Sequence, residues 1–343
     1  MAKDKQHELQ TCGGWGAKIG AGQLSDLLSK LPKKYDPNLI IGYDSQDDAA
    51  IYQVSEDVAV IQTLDFFPPV VSDPYLFGQI AAANALSDVY AMGGKVATAM
   101  NIVGYPRGQS FDDLEKIMQG GAEKVQEAGG VLAGGHSIHN DSTLYGLSVM
   151  GLVHPDHVKA NNAPRVGDVL IMTKKLGIGI ITSANNSGKA KPEAFEEACQ
   201  YMKTLNKYGV EAMEGFDVSS ITDITGFGLL GHLTEMVENN VTAVINSEAV
   251  PYIEDAYRCC GELGILPGGA AKNWDHFGEQ ITFQDVDPVL QNILFDPQTS
   301  GGLMISVSPD DAEAFLENLH KNNVTATIVG EIVDREDHAI IVK

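Results

Sequence analysis

Four aspartates stand among apolar residues, where folding alone gives no reason for a carboxylate. Asp48 opens an apolar run, Asp65 ends another, and Asp88 lies among Ala, Leu, Val and Met. Asp223 precedes a Gly-containing turn, and few Lys or Arg stand near these four in the sequence. A buried aspartate needs a partner or a metal ion, and Mg²⁺ prefers oxygen ligands. The four together predict Mg²⁺ with a bound polyphosphate, although each alone could be a helix cap or a turn former.

The spacing of Asn84 and Asp88 puts both side chains on one side of a helix predicted over 75–92. Residues i and i+4 are neighbours on a helix surface, so this amide and this carboxylate can share one metal ion or one phosphate. The alternative is an Asn–Asp contact on a solvated face. Because the flanking residues are apolar and an unpaired buried carboxylate is costly, the shared ligand is favoured.

Three further polar segments contain glycine. The segment 134–137 follows a predicted strand, and its backbone N–H groups could hold an anion. The segment 222–232 opens a helix whose N-terminus could face an anion while its aspartate holds a cation, and the segment 296–302 could line a cleft. The alternatives are a tight turn, a plain helix start with Thr225 as N-cap and His232 in the core, and an ordinary loop.

The composition restricts the partners. The 343 residues include 23 Lys and Arg against 46 Asp and Glu, which gives a net charge of −23. This charge argues against a nucleic acid or an anionic membrane as partner. No apolar stretch of spanning length and no secretory signal are visible, and the four cysteines lack zinc-type spacing. We expect a cytoplasmic protein.

Strand and helix patterns alternate in both halves of the chain, which predicts an α/β (α+β layered) protein of two domains. A turn-rich polar stretch at 153–166 marks the boundary. We expect a mobile Gly-rich arm and helix at 1–37, an N-terminal domain that binds metal and polyphosphate at 38–157 and a C-terminal domain at 158–343. The expected strands are 49–54, 57–64, 96–103, 130–134, 144–152, 168–173, 241–246, 302–307, 325–331 and 338–342, and the expected helices are 75–92, 111–128, 191–207, 225–239 and 310–321.

The chemistry-bearing segments, in this order, resemble the selenophosphate synthetase (selenide, water dikinase) family of the aminoimidazole ribonucleotide synthetase-like superfamily. The Gly-x-Gly-x-Lys arm and the turn Asp-Pro-Gln-Thr-Ser-Gly-Gly favour this family over its relatives. The resemblance covers nearly the whole chain. The matching segments are 14–18, 47–50, 63–67, 84–94, 133–137, 173–177, 222–232 and 296–302.

The resemblance implies a two-domain fold in which the N-terminal sheets of two chains form the barrel-like core of a homodimer. It implies a phosphotransferase that converts ATP, selenide and water to selenophosphate, AMP and phosphate, with Mg²⁺ and K⁺ as cations. Selenium would arrive as free selenide or from a selenium-delivery protein. Two alternatives stay open: a non-catalytic nucleotide-binding relative, and a kinase or synthetase of the same superfamily that acts on a phosphorylated small molecule.

The resemblance also assigns roles to individual residues. Lys18 corresponds to the essential lysine of the mobile arm, which is catalytic and contacts ATP. The other implied positions are Asp48, Asp88 and Asp223 as Mg²⁺ ligands, Asp65 and Asn84 as further metal or phosphate contacts, with Asp88 also near ATP, and Gly135, His136 and Ser137 beside the nucleotide.

The family's reactive cysteine or selenocysteine lies three residues before the lysine, where this chain has Trp15. Trp cannot serve as a nucleophile or hold selenium as a thiolate or selenolate could, so Trp15 would impair this form. Selenocysteine is encoded by UGA, one base from the Trp codon UGG. Our hypothesis is that Trp15 records a selenocysteine codon read or rebuilt as Trp. The alternatives are a true Trp in a non-catalytic relative, and Cys12 acting as a replacement thiol.

Overall fold

The computed structural model describes residues 9, 11, 27, 30, 31, 35–42, 48–238 and 240–343. Cys12, Trp15 and Lys18 lie outside these residues, so the expectations for the arm stay predictions. None of the helices in the described part of the chain is long and apolar enough to cross a membrane.

The first described sheet has six strands in the order β1-β2-β3-β6-β4-β5. Strands β4 and β5 pair in parallel and the other neighbours pair antiparallel. Helix α1 packs on β3 and β6, and α2 packs beside α1. The bounds are β1 Leu39–Ile41, β2 Ala50–Gln53, β3 Ala59–Phe67, α1 Pro74–Ala91, β4 Lys95–Tyr105, α2 Phe111–Glu127, β5 Val131–His139 and β6 Leu144–Val153.

The second described sheet has seven strands in the order β10-β13-β9-β12-β7-β11-β8, and strands β8, β9 and β11 are buried along their whole length. The bounds of the strands are β7 Val169–Met172, β8 Val218–Asp223, β9 Val241–Ile245, β10 Ile281–Phe283, β11 Leu303–Val307, β12 Thr327–Asp334 and β13 Ile340–Val342. The bounds of the helices are α3 Ile178–Asn186, α4 Pro192–Lys203, α5 Lys207–Glu211, α6 Gly228–Val237, α7 Glu254–Gly261, α8 Gly268–Phe277, α9 Pro288–Leu294 and α10 Ala312–Lys321, with 3₁₀ turns at Pro155–His157, Ser247–Ala249 and Gly278–Gln280.

Helix α1 begins where its sequence dictates. Asp73 accepts a hydrogen bond from the backbone N–H of Leu76, and Pro74 occupies the first turn, where its missing N–H costs nothing. The helix is buried on nearly all sides, since the first sheet lies on one side and α4 and β8 of the second domain lie on another. Its small residues, Ala81 to Ala83 among them, allow this close packing.

Strand β3 alternates between a buried and an exposed face, as a strand covered on one side must. Ile61 and Thr63 point toward α1, while Leu64 and Phe66 lie on the opposite face and are about half exposed, at 55% and 46%. The polar residues that face α1 are therefore separated from solvent by the helix.

Two of the predicted elements were wrong in extent, and strand β8 is one of the elements that were not predicted. The strand expected to end at 134 continues as β5 to His139, because a Gly–Gly pair fits a bulged strand as well as a turn. The single helix expected over 191–207 is α4 and α5, separated by a break near Thr204. Strand β8 was missed because its Ser- and Thr-rich sequence does not alternate between apolar and polar residues, since it is buried throughout.

Candidate active site

Strand β3 and helix α1 bring four polar residues together. Thr63 and Asp65 are two residues apart on the strand and so share a face, while Asn84 and Asp88 are four apart on the helix. The Thr63 hydroxyl donates to Asp88 Oδ2 at 2.5 Å. Asn84 Nδ2 donates to Asp65 Oδ2 at 2.8 Å. Asn84 and Asp88 thus lie on one side of α1, as their spacing predicts, and that side faces the end of β3.

The remaining two aspartates come from either side of the domain interface. Asp223 is the last residue of β8 in the second domain and is 1% exposed. Asp48 lies just before β2 in the first domain and is half-buried. The hydroxyl of Thr222 donates to Asp48 Oδ2 in a long contact of 3.4 Å, so the end of β8 meets the beginning of the first domain.

Burial raises the pKa of the Asp88 carboxyl well above its usual range. The negative charges of Asp65, Asp223 and Asp48 raise this pKa further. The hydrogen bond from Thr63 lowers it in part. The four carboxylates therefore form a single electrostatic cluster. We call it the acidic cluster, and its members are Asp48, Asp65, Asp88 and Asp223.

The pKa of Asp48 is also raised well above its usual range, first by burial and then by the charges of Asp223 and Glu235. A hydrogen bond from Asn161 opposes this in part. Several like charges in a buried place are tolerated when they are protonated or when cations lie between them.

The donor set of the acidic cluster fits a hard divalent cation, because carboxylate and amide oxygens are the ligands of Mg²⁺. Within the described stretches, no three His, Cys, Asp or Glu side chains are arranged to hold a metal ion by themselves. Mg²⁺ is usually held by one or two carboxylates, with water and phosphate oxygens completing its shell. The joint assignment of Asp48, Asp88 and Asp223 as ligands stays a prediction.

The polar segment 296–302 is a buried turn at the domain interface, and we call its residues Gln298–Gly302 the interface turn. The backbone N–H of Ser300 donates to Asn84 Oδ1 at 3.0 Å. Asn206 Nδ2 donates to the carbonyl of Gly301 at 2.9 Å and to Ser87 Oγ of α1 at 2.8 Å. The turn therefore ties the second domain to the helix that carries Asn84 and Asp88.

Asp296, which precedes the interface turn, serves the fold. It is fully buried, and its Oδ2 accepts hydrogen bonds from the backbone N–H of Gly179 and from Gln298 Nε2, both at 2.9 Å. Burial raises its pKa to about 7, although these hydrogen bonds oppose the shift. The carboxyl caps the first turn of α3.

The segment 222–232 was expected, in one interpretation, to be a plain helix start with Thr225 as N-cap, and the structure differs from this. Helix α6 begins at Gly228, and Thr225 is not its N-cap. The Thr225 hydroxyl lies 3.1 Å from Nε2 of His232, whose Nδ1 lies 3.4 Å from Glu235. His232 is 4% exposed, which confirms its interpretation as a core residue.

The structure does not bring Gly135, His136 and Ser137 to the acidic cluster of the same chain. They lie within β5, exposed, and pair with Asn101 and the two residues after it in β4. A Cβ on Gly135 would come 2.3 Å from the carbonyl oxygen of Asn101, so this position requires glycine. Strands β6 and β4 separate β5 from β3. Contacts of these three residues with nucleotide stay a prediction.

Comparison with known proteins identifies the family. The model for the N-terminal domain of AIR synthase related protein matches residues 46–153, and the model for the C-terminal domain matches 165–343. A selenide, water dikinase of Agathobacter rectalis is 53% identical over 339 residues, which cover 98% of this chain and 99% of that protein. The chain belongs to the selenide, water dikinase family. A further member, selenide, water dikinase 2 of Peptoclostridium acidaminophilum, is 45% identical over 340 residues and 98% of both chains.

Solved structures show the same fold at low sequence identity. A thiamine-monophosphate kinase from Stenotrophomonas maltophilia superposes with a TM-score of 0.67 at 18% identity, over 94% of this chain and 95% of that chain. A chain of the HypE–HypF complex superposes with a TM-score of 0.69 at 18% identity, over 94% and 96%. The predicted two-domain α/β fold of the superfamily is confirmed. The selenide, water dikinase family membership predicted from the motifs is confirmed as well.

Sequence reasoning missed three residues that hold the site of this family member in place: Thr63, Lys174 and Asn206. Thr63 had a readable signal, because it lies two residues before Asp65 and so shares its face. Lys174 and Asn206 contact the interface turn from 126 and 95 residues away in the sequence, and no local pattern indicates such contacts.

Proposed function

We propose that the protein forms selenophosphate from ATP, selenide and water, with release of AMP and phosphate. Its membership in the selenide, water dikinase family supports this activity. The observation that carries the proposal at the level of the site is the acidic cluster, in which burial and the charge of Asp223 from the second domain raise the pKa of Asp48 and of Asp88 in the first domain. A cluster of this kind suits a substrate that brings cations with it.

Asp48, Asp88 and Asp223 would hold Mg²⁺, and Asp65 and Asn84 would contact metal or phosphate. When bound, Mg²⁺ neutralises phosphate charge and polarises phosphoryl oxygens. K⁺ is part of the proposal by family resemblance. A net charge of −23 repels a free polyphosphate, so cations at the acidic cluster are what makes ATP binding favourable.

The residues of the chain orient the ligands before the substrate arrives. The hydroxyl of Thr63 fixes one oxygen of Asp88, and the amide of Asn84 fixes one oxygen of Asp65. Because Ser300 also holds the Asn84 amide, that side chain has one defined orientation. Such preorganisation lowers the cost of arranging charged groups during phosphoryl transfer.

A homodimer through the first sheet is the assembly that the surface supports. The face opposite α1 exposes Leu64, Phe66 and Met100, and the edge strand β5 exposes Val131 and Ile138. Apolar residues grouped on one sheet face are typical of a protein interface. A twofold pair of such faces would give the barrel-like core that the family resemblance implies.

The selenium half of the reaction is assigned to the arm. Lys18 is proposed as the cation that closes over the nucleotide, and Trp15 as the position of the reactive cysteine or selenocysteine. Selenium would reach it as free selenide or from a delivery protein. We also propose a cytoplasmic location, since the chemistry needs ATP and a reduced selenium source.

The proposed reaction is tested by incubating the protein with ATP, Mg²⁺ and selenide and measuring AMP and selenophosphate by ³¹P NMR. The result expected is AMP that depends on selenide, formed weakly by the chain with Trp15 and faster by the Trp15→Cys variant. AMP at the same rate without selenide, or no AMP from either protein, would overturn the proposal.

The metal assignment has its own test. Asp48→Asn, Asp88→Asn and Asp223→Asn should each weaken Mg²⁺-dependent ATP binding in titration calorimetry, because each removes a charged oxygen from the cluster. Asp310→Asn, which neutralises a solvent-exposed aspartate of the second domain, is the matched control and should bind as the natural protein does. Unchanged affinity in all three cluster variants would sink the assignment.

A further inference from the structure

The interface turn touches both halves of the acidic cluster. On one side, the backbone N–H of Ser300 holds the amide of Asn84, which holds Asp65. On the other side, the carbonyl of Gly302 accepts a hydrogen bond at 2.8 Å from the backbone N–H of Ile224, the residue after Asp223. A displacement of this turn would therefore move ligands that belong to different domains.

Lys174 holds the interface turn through hydrogen bonds of its side chain. Its side chain is buried, and Nζ donates to the carbonyl oxygens of Ser300 at 2.9 Å and of Thr204 at 2.8 Å. Burial lowers the pKa of this amine to about 7. A buried amine is costly for folding compared with an apolar side chain of similar length, so its presence calls for a role that an apolar residue could not fill.

The packing around the turn leaves no room for adjustment. A Cβ on Gly301 would come 2.0 Å from the carbonyl oxygen of Ile224, and a Cβ on Gly302 would come 2.5 Å from the backbone nitrogen of Lys174. Ser300 itself has a φ of +50°, a conformation that L residues rarely adopt. The hydrogen bonds from Lys174 and Asn206 hold the backbone in this conformation.

We propose that Lys174 is a positioning residue for the acidic cluster: it fixes the interface turn so that the Ser300 N–H orients Asn84, and Asn84 orients Asp65. The proposal rests on the proposed function for the identity of the substrate, and on the hydrogen bonds alone for the positioning. In this proposal Lys174 has no direct part in binding substrate or metal. It acts through a chain of three contacts that crosses the domain interface.

The test combines two measurements on Lys174→Met, which keeps the length of the side chain and removes both hydrogen bonds. The first is hydrogen exchange of the peptide 296–303, which we expect to become faster. The second is the Kd for ATP with Mg²⁺, which we expect to rise about tenfold or more, the usual cost of losing hydrogen bonds to an ionisable group. Lys175→Met is the matched control, since that neighbour forms a partly exposed pair with Glu197, and both measurements should stay as in the natural protein.

A double-mutant cycle with Asn84→Ala separates positioning from general destabilisation. If Lys174 acts through Asn84, then Lys174→Met should change Kd by less than about threefold in the Asn84→Ala background. An equal change in both backgrounds would overturn the proposal, and so would unchanged exchange of 296–303 in Lys174→Met.

If Lys174→Met does not fold, the role of the interface turn can be tested with Asn206→Ala, because this variant removes the hydrogen bond to the turn at Gly301. It should raise Kd by about threefold to tenfold, and less in the Asn84→Ala background. If neither the chain with Trp15 nor its Trp15→Cys variant forms selenide-dependent AMP, the proposed function fails. The exchange measurement then still supports or overturns the role of Lys174 in holding the turn.

Discussion

Replacing Asp296 by Asn should change how the stability of the protein depends on pH. Asp296 is fully buried, and its burial raises the pKa of the carboxyl from an ordinary value of 3.8 to about 7. Between these two values the folded protein holds a proton that the unfolded chain has released. The contribution of Asp296 to the free energy of unfolding therefore falls as the pH rises from about 4 to about 7, and becomes level above the folded pKa.

The size of the effect follows from the pKa difference. About three pKa units correspond to about 4 kcal/mol of unfolding free energy, at roughly 1.4 kcal/mol per unit. Asn does not titrate, so Asp296→Asn removes this contribution. The absolute stability of the variant also includes the cost of a buried amide with unsatisfied donors, and that cost does not vary with pH.

The assay is denaturant unfolding of the natural protein and of Asp296→Asn at several pH values between 4.5 and 8. The difference in unfolding free energy, variant minus natural protein, should increase by about 3 kcal/mol across this range, because the rest of the change falls below pH 4.5. Contributions of other titrating groups, Asp88 and Lys174 among them, cancel in this difference. Asp310→Asn, at an exposed site, should show a constant difference. A difference for Asp296→Asn that is flat, or that decreases with pH, would refute the assignment.

Four further outcomes are expected. Gly301→Ala should lower the free energy of unfolding by several kcal/mol, because its Cβ would overlap the carbonyl of Ile224. An unchanged denaturant midpoint would show that the interface turn can relax. Phe66→Asp should convert a dimer to a monomer of 36.7 kDa in light scattering, since Phe66 is exposed on the apolar sheet face; a natural protein that is already monomeric would count against the interface. Lys18→Ala should abolish ATP turnover, and intact turnover would leave Lys18 as a solvated residue. Trp15→Cys should strongly raise selenide-dependent AMP formation, and a genomic UGG at codon 15 without a selenocysteine insertion element would argue against a selenoprotein.

Much of the acidic cluster could be predicted because its signals are local. Asn84 and Asp88 share a helix face by spacing alone, and Asp65 stands at the end of an apolar strand. The bounds of α1 and β3 agree with the prediction to within three residues, since both elements are long and strongly apolar. The types and spacing of single residues were sufficient to predict these two elements and the side chains on them.

The rest depends on contacts between distant residues. The interface turn is a loop by its sequence, and only tertiary packing makes it a support for Asn84, 216 residues away. The extent of β5 was mispredicted because the conformation of Gly134 and Gly135 is fixed by pairing with β4 and not by their own preference. The break between α4 and α5 lies at Thr204, whose carbonyl accepts from Lys174, a contact that no helix pattern indicates.

The burial of α1 on nearly all sides has a consequence for the modularity of the protein. One hydrophobic core runs from the first sheet through this helix into the second domain. A protein fragment containing only the first domain would expose the Ala-rich side of α1 to water. It would also expose the polar side chains whose hydrogen-bond partners lie in the second domain. Neither half can therefore be gained, lost or exchanged by recombination as an independent unit, and substitutions along α1 must be accepted by both domains at once.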